Sequence, residues 1–353
     1  MMSERKPPKK ILIVLHGAIG DVVRALPLAV RIKKYWPETR LIWAIEPKSK
    51  DLLVDHPAVD ELVVFERARG LAEFRRFLKI IRALNVDLTL DLQRHFKSGL
   101  VSFSSAAKTR VGFNRRNAKE FNWIFNNQSI PAAQAVTSKF EQYQQFGDQI
   151  GVPRTEQIDF GLSFSAETVR ASEGLLRLAC DERQVPLPPK NRRVALLIGG
   201  SWESKKWSAT NFVQIAKRIV QELEALPIIL GGPSDVRMSE IILRELGESE
   251  CISLAGRTNL RQLAYLLSQV STAVSGDSGP MHISAAVGTP VVSLWGPTSP
   301  SLTGPIGSEK YMIQTSIGCA QCYRRKCPGL DTLCMSDIPP EVVMHWLRDA
   351  AKS

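Results

Sequence analysis

Val274-Ser275-Gly276-Asp277-Ser278-Gly279-Pro280-Met281-His282 decides the fold of this chain. A strand end breaks at a polar glycine turn. Pro280 then stands in the first turn of a new helix, where its missing N–H costs nothing. Strand, glycine turn and helix form the repeating unit of an open α/β sheet, and the free amides at such a helix start suit phosphate. Ser278 and His282 add hydrogen-bonding groups to the turn, whereas Asp277 would repel a phosphate at close range and is expected to orient neighbours or hydroxyls. Taken alone, His282 reads as a satisfied, half-buried histidine one turn into a helix.

Working outward, the same rhythm fills the chain. Gly288-Thr289-Pro290 leads into the apolar run Val291–Leu294 and a second glycine-proline turn, Gly296-Pro297-Thr298. Upstream, Val194–Ile198 and Pro227–Leu230 alternate with helix-like Asn211–Leu223, Val236–Leu246 and Leu260–Leu267. The first half repeats it: Ile11–Leu15, helix-like Val22–Tyr35, Leu41–Ile45, Leu62–Phe65, helix-like Leu71–Leu84 and Leu88–Leu92. Parallel strands need crossovers that are usually helical, so the alternation predicts two doubly wound, Rossmann-like α/β domains with parallel sheets. Pro186, Pro188 and Pro189 interrupt the pattern and place a linker at 181–193, between an N-terminal domain at 1–180 and a C-terminal domain at 194–338. The tail, 339–353, reads as a closing helix with Val342, Val343, Trp346 and Leu347 on one face, expected to pack back toward the first domain. Ligands of open α/β sheets bind outside the carboxyl ends of the strands, so function is expected in the loops there, in a cleft between the domains.

A chain of 353 residues, 44% hydrophobic, is long enough for two such cores. Of its net charge of +11, +9 falls in residues 1–180 and +2 in the remainder. A basic first half suits nucleic acid, an anionic membrane or an acidic substrate. A non-catalytic nucleic-acid-binding protein is one such reading, but no nucleic-acid motif is recognisable and the glycine loops would go unexplained. The basic start, Met1–Lys10, precedes an apolar run too short for a secretory signal, and no stretch reaches the roughly 18 apolar residues of a membrane span. A cytoplasmic protein is expected.

Two further loops could carry chemistry. The first strand ends in His16-Gly17-Ala18-Ile19-Gly20-Asp21, whose glycines do not make the G-x-G-x-x-G of a nicotinamide or flavin site. Taken alone, Asp21 reads as a helix N-cap. The second loop, Gly199-Gly200-Ser201-Trp202-Glu203-Ser204-Lys205-Lys206-Trp207, presents donors and two cations before a helix. It reads either as a diphosphate cradle or as solvated lysines with Trp207 stapling the helix entry. Cys319, Cys322, Cys327 and Cys334 are enough thiols for a structural zinc or an iron–sulfur cluster, though their uneven spacing fits no standard ribbon; reduced thiols or a labile disulfide are the other reading.

Together these segments resemble the heptosyltransferases of glycosyltransferase family 9, whose hallmark SxDSGxMHxAAAxGxPxVxLxGPT runs here from Ser275 to Thr298. The likeness extends to Gly20-Asp21 with Leu26-Pro27, to Lys205-Lys206-Trp207 and to Ile338-Pro339-Pro340-Glu341-Val342. The resemblance implies a GT-B fold, an ADP-heptose donor in the C-terminal domain and a lipid-linked acceptor in the N-terminal domain. It also implies inversion at the anomeric carbon without a required metal or cofactor. It places the general base on Asp21, which displaces the N-cap reading. Lys205 and the turn Asp277, Ser278 and Gly279, with His282 in support, would stabilise the leaving diphosphate. Thr258 and Asp235 align loosely with positions near the adenosine.

Within the family, Asp91-Leu92-Gln93, Lys97-Ser98 and Val111-Gly112-Phe113 look most like heptosyltransferase I, the enzyme that adds the first heptose to Kdo. Arg24, however, stands where first-heptose enzymes often carry histidine. Kdo carboxylates and lipid A phosphates are anionic, so Arg67, Lys97, Arg115 and Arg116 are candidate acceptor contacts. The implied setting is peripheral, at the cytoplasmic face of the inner membrane, with no nucleic-acid partner. A second-heptose enzyme, or a protein O-heptosyltransferase acting on serine hydroxyls, would use the same donor loops.

Overall fold

A computed structural model describes residues 6–247, 250–328 and 332–352; the first five residues of the basic start lie outside it. The chain forms two compact units, Met1–Ser163 and Phe164–Ser353.

The first unit runs β1 (Lys10–Val14), α1 (Ile19–Tyr35), β2 (Arg40–Ile45), α2 (Pro47–Lys50), β3 (Glu61–Val64), α3 (Gly70–Ala83), β4 (Leu88–Asp91), α4 (Phe96–Ser104), β5 (Thr109–Gly112), β6 (Gln128–Ser129) and α5 (Lys139–Gln149). Its six strands lie parallel in the order β3-β2-β1-β4-β5-β6. Ile11 to Val14 form an unbroken apolar run because β1 is covered on both faces. The two-residue period of a strand then sorts the side chains: Ile11 and Ile13 join one core beneath α1 and α5, and Leu12 and Val14 join the other with Phe77 and Ile81 of α3. In β2, Trp43 and Ile45 divide from Ile42 and Ala44 in the same way. A one-residue slip would exchange both sets.

The second unit runs α6 (Ala166–Glu182), β7 (Arg193–Leu197), α7 (Ala209–Leu223), β8 (Leu226–Leu230), α8 (Val236–Leu246), β9 (Ile252–Ser253), α9 (Leu260–Ser268), β10 (Thr272–Gly276), α10 (Gly279–Ala286), β11 (Val291–Trp295), α11 (Pro300–Thr303), β12 (Met312–Gln314), α12 (Leu333–Ser336) and α13 (Pro340–Ala350). Its order, β12-β11-β10-β7-β8-β9, read from the other edge repeats that of the first sheet, and again every pairing is parallel. Each half is therefore doubly wound, with the order reversing beside its first strand. The expected class, α/β with two doubly wound parallel sheets, is what the structure has.

One boundary and one packing differ from the expectation. The units divide after Ser163, not at 181–193, because α6 belongs to the second: it packs against α9, Phe164 meets the Tyr265 ring edge-on, and the Tyr265 hydroxyl donates to Glu173 at 2.9 Å. Pro186, Pro188 and Pro189 only break the chain between α6 and β7. The closing helix α13, expected to pack back toward the first domain, lies on α7 and against β10 and β11. It buries Val343, Met344 and Leu347 there, each burial stabilising by about 2 kcal/mol. Trp207 fixes its approach by donating from Nε1 to the Ile338 carbonyl at 3.0 Å. Among the described residues, no helix is long and apolar enough to cross a membrane.

Candidate active site

In the first unit the loops after β1 and β4 converge on α5. Asp21 is the third residue of α1; Ala18 is the N-cap and makes no side-chain cap bond, so the carboxylate is not spent on capping. It meets two cations instead, both on Oδ1: Arg24 Nη2 at 2.6 Å and Lys139 Nζ at 3.1 Å. Arg24 lies one turn along α1 and is buried, while Lys139 opens α5 and is 40% exposed. Burial by itself would raise the Asp21 carboxyl, but the two cations overcome it and hold the group well below the usual carboxylate range. Tyr143, one turn after Lys139, is within hydrogen-bonding reach of Asp21, and burial together with that negative charge pushes its phenol up.

Asp21, Lys139 and Tyr143 line a cavity of about 140 Å³ with Gln93, Arg94 and His95. Gln93 and His95 also line a second cavity of about 320 Å³ that takes in His16, Arg67 and Lys97. The structure thus brings two of the four candidate acceptor cations, Arg67 and Lys97, beside the Asp21 cavity. Arg115 and Arg116 are exposed and line neither; Arg115 stacks on Trp123, 4.8 Å from the ring centre.

The β4 loop is held from beneath by Asp91, which is fully buried and accepts from Asn122 Nδ2 at 2.7 Å and from the Gln93 amide at 3.1 Å. Burial raises its carboxyl to about 6, against the pull of these bonds. His16 packs against the rings of both Phe65 and Phe77, and burial lowers it to about 4, so it is neutral at pH 7.

In the second unit five loops gather at the carboxyl end of the sheet. Lys205 Nζ lies 2.7 Å from Asp277 Oδ2 and 4.2 Å from the centre of the Trp202 ring. Thr298, in the turn after β11, donates to the same carboxylate oxygen at 2.7 Å. Asp277 therefore orients a cation and a hydroxyl. Ser278 is the N-cap of α10: its hydroxyl accepts from the Met281 amide at 3.4 Å and lies 2.9 Å from the Ser275 hydroxyl. His282 is buried one turn in. Glycine is required at position 276, where a Cβ would come within 2.5 Å of the Lys205 carbonyl oxygen.

The loops carrying Asp235 and Thr258 are tied together by the Gly256 amide, which donates to the Gly231 carbonyl at 2.9 Å. Thr258 is half-buried just before the N-cap Asn259. The Asp235 carboxylate is buried and closes its own turn, accepting from the Gly232 amide at 2.9 Å, and a Cβ at Gly199 would collide with it at 2.6 Å. Asp235 thus shapes two glycine turns.

The sequence profile of glycosyltransferase family 9 (heptosyltransferase) matches residues 74–332. The chain belongs to that family. The lipopolysaccharide core heptosyltransferase of Haemophilus influenzae is 28% identical over 304 residues, covering 84% of this chain and 82% of that protein. A family 9 glycosyltransferase of Veillonella parvula has the same fold, with a TM-score of 0.82, 19% identity and 97% of each chain covered. The Escherichia coli ADP-heptose lipopolysaccharide heptosyltransferase II superposes with a TM-score of 0.75 and 22% identity, over 97% of this chain and 98% of that one.

The reading of this glycosyltransferase from its sequence missed Lys139, Tyr143, Arg94, Gln93 and His95 as companions of Asp21. One signal was present: Lys139 directly follows the cap Ser138 and so puts a cation at a helix N-terminus, where the dipole disfavours it. Of the four clustered cysteines, Cys319 and Cys322 are exposed, Cys327 is half-buried and Cys334 is buried. Among the described residues no group of three or more His, Cys, Asp or Glu side chains is arranged to hold a metal ion.

Proposed function

We propose that this glycosyltransferase transfers heptose from ADP-heptose to the Kdo region of the lipopolysaccharide inner core with inversion, and that Asp21 is its general base. The observation that carries this reading is the position of Asp21: a carboxylate lining a cavity in a unit of charge +9, next to a second cavity that holds Arg67 and Lys97. An acceptor bearing carboxylates or phosphates suits such a surface. The same charge would hold the protein peripherally on an anionic cytoplasmic membrane face, where that lipid-linked acceptor resides.

The chemistry is a single displacement. The acceptor hydroxyl gives its proton to Asp21 as its oxygen attacks the anomeric carbon, and the carbon–oxygen bond to ADP breaks on the opposite face. Charge grows on the leaving diphosphate. Lys205 supplies a cation there, the amides of the Asp277-Ser278-Gly279 turn supply donors at the start of α10, and His282 supports that turn. Asp277 keeps Lys205 oriented rather than meeting the phosphate itself. Thr258 and the glycine turns shaped by Asp235 border the place assigned to the nucleoside. No metal or cofactor takes part.

The relatives include enzymes named heptosyltransferase 1 and heptosyltransferase 2, so the acceptor is the part to test. Purified protein is incubated with ADP-heptose and Kdo-bearing lipid A beside Asp21→Ala, and the product is followed by mass spectrometry. Transfer by the parent and its loss in the variant are expected. Donor binding without transfer to this acceptor would redirect the assignment to a heptosylated core or a protein hydroxyl. Absence of donor binding would overturn the proposal, and retained activity in Asp21→Ala would remove the base from its role.

A further inference from the structure

A general base works best when its pKa lies near the working pH, and Asp21 sits far from that condition. Its two cationic partners are not equivalent. Arg24 is on the same helix and its side chain is 6% exposed, so it is fixed in place. Lys139 comes from another helix, is 40% exposed and reaches Asp21 along the wall of the 140 Å³ cavity. An ion pair with one partner open to water is weak and readily exchanged. The helix start also offers Lys139 no help: the dipole there repels a cation, and it is the Asp21 carboxylate that offsets this. The ionisable groups that face Asp21 or share its cavity are Arg24 from its own helix, Lys139 and Tyr143 from α5, Arg94 and His95 from the β4 loop, and Lys119. Only Lys139 among them is both charged opposite to the carboxylate, in direct contact with it and substantially exposed.

We infer that Lys139 is a substrate-displaced mask on the base. An anionic group of the acceptor, carboxylate or phosphate, draws its ammonium off Asp21, so the carboxylate is released only when an acceptor carrying that charge is bound. Lys139 is a positioning and specificity residue in this scheme. It takes no proton in the transfer: the hydroxyl proton still passes to Asp21, the new bond forms from that oxygen to the anomeric carbon, and the electron pair of the broken bond leaves with the diphosphate. The inference rests on the reading of Asp21 and of an anionic acceptor given above. It adds that selection for the anion and activation of the base are one event, because the ammonium that moves to the acceptor's anion is the one that leaves the carboxylate.

Competition for one ammonium makes the test specific. Binding of the Kdo-bearing acceptor without donor is measured by calorimetry for the parent, Lys139→Met, Lys139→Arg and Asp21→Asn. Two neutralised acceptors accompany it, one with its sugar carboxylates reduced to alcohols and one dephosphorylated on the lipid. Lys139→Met should bind the intact acceptor roughly tenfold more weakly, the loss of one charge-assisted contact, and Lys139→Arg should match the parent. Asp21→Asn, which frees the ammonium, should bind the intact acceptor more tightly than the parent. Whichever neutralised acceptor has lost the recognised anion should be bound alike by the parent, Lys139→Met and Lys139→Arg, which names the anion. In turnover, Lys139→Met should use that neutralised acceptor with a higher kcat than the parent, and the acid limb of its kcat/KM profile should move to higher pH, since Asp21 then keeps one cation instead of two. Equal affinity of parent and Asp21→Asn for the intact acceptor would overturn the inference, as would equal losses of kcat on every acceptor with an unmoved acid limb. The binding arm needs no transfer, so a protein that shows the competition but no heptose transfer would sustain the mask and refute the assigned reaction.

Discussion

Lys205 and Asp277 form a buried ion pair, Nζ to Oδ2 2.7 Å, with each side chain 11% exposed. Removing one partner leaves the other charge buried without compensation, a loss of about 3 kcal/mol. Lys205→Ala should show this in urea unfolding at neutral pH. Lys205→Met combined with Asp277→Leu should fall well short of the sum of the single losses. Additive losses would mean that the two charges are solvated independently. Binding of ADP-heptose should be lost in every variant that lacks Lys205, whatever its stability.

Gly276→Ala places a methyl within 2.5 Å of the Lys205 carbonyl oxygen, a backbone atom that cannot step aside without moving the whole loop. The variant should lose donor binding and melt earlier. Gly174→Ala, in the exposed face of α6 with nothing within 4 Å of the new methyl, should gain roughly 0.5–1 kcal/mol from the better helix former. Similar behaviour of the two variants would contradict the close approach at Gly276.

His16 and Asp91 act on stability in opposite directions over one pH range. Burial holds Asp91 at about 6, up from 3.8, so its contribution is fullest below pH 4 and is lost as pH rises through 6. Burial holds His16 at about 4, down from 6.5, so its contribution is fullest above pH 6.5 and is lost as pH falls through 4. Each is on the order of 3 kcal/mol, and in the parent they nearly cancel. Denaturant unfolding from pH 4 to 6.5 should be nearly flat for the parent as far as these two groups go. It should rise with pH in Asp91→Asn and fall with pH in His16→Gln. Parallel profiles for the three proteins would refute the opposed shifts.

Arg67 and Lys97 line the cavity next to Asp21, and Arg115 and Arg116 do not. If the acceptor occupies those cavities, alanine at Arg67 or Lys97 should raise its KM severalfold, about 1 kcal/mol for an exposed charge contact. Alanine at Arg115 or Arg116 should leave KM within about twofold. The reverse ranking would move the acceptor to the Trp123 face, where Arg115 stacks.

Much of the fold was legible because its signals are local. The apolar runs of β1, β2, β7 and β8 are buried on both faces and so carry no polar interruption, and the glycine turns after β1, β8 and β10 mark strand ends by residue type alone. Position 276 shows the limit: the glycine was plain in the sequence, but its neighbour, the Lys205 carbonyl, lies 71 residues away. The misplaced boundary has the same origin. Three prolines are a strong local break, yet domain membership depends on which partner a helix packs against, and α6 finds its partner in α9. The closing helix likewise showed its apolar face in the sequence without showing what that face would cover.

What the sequence by itself determined is the α/β alternation, the two domains, the family and the identity of the principal candidate residues, because spacing and residue type are enough to specify strands, helix starts and glycine turns. Only the tertiary structure decided the company those residues keep. Asp21 carries Lys139 from 118 positions away, Asp277 holds Lys205 and Thr298 instead of facing open solvent, and Asp235 closes glycine turns. A carboxylate's charge state and strength as a base follow from burial and from the cations within a few ångströms, and those distances exist only once the chain has folded.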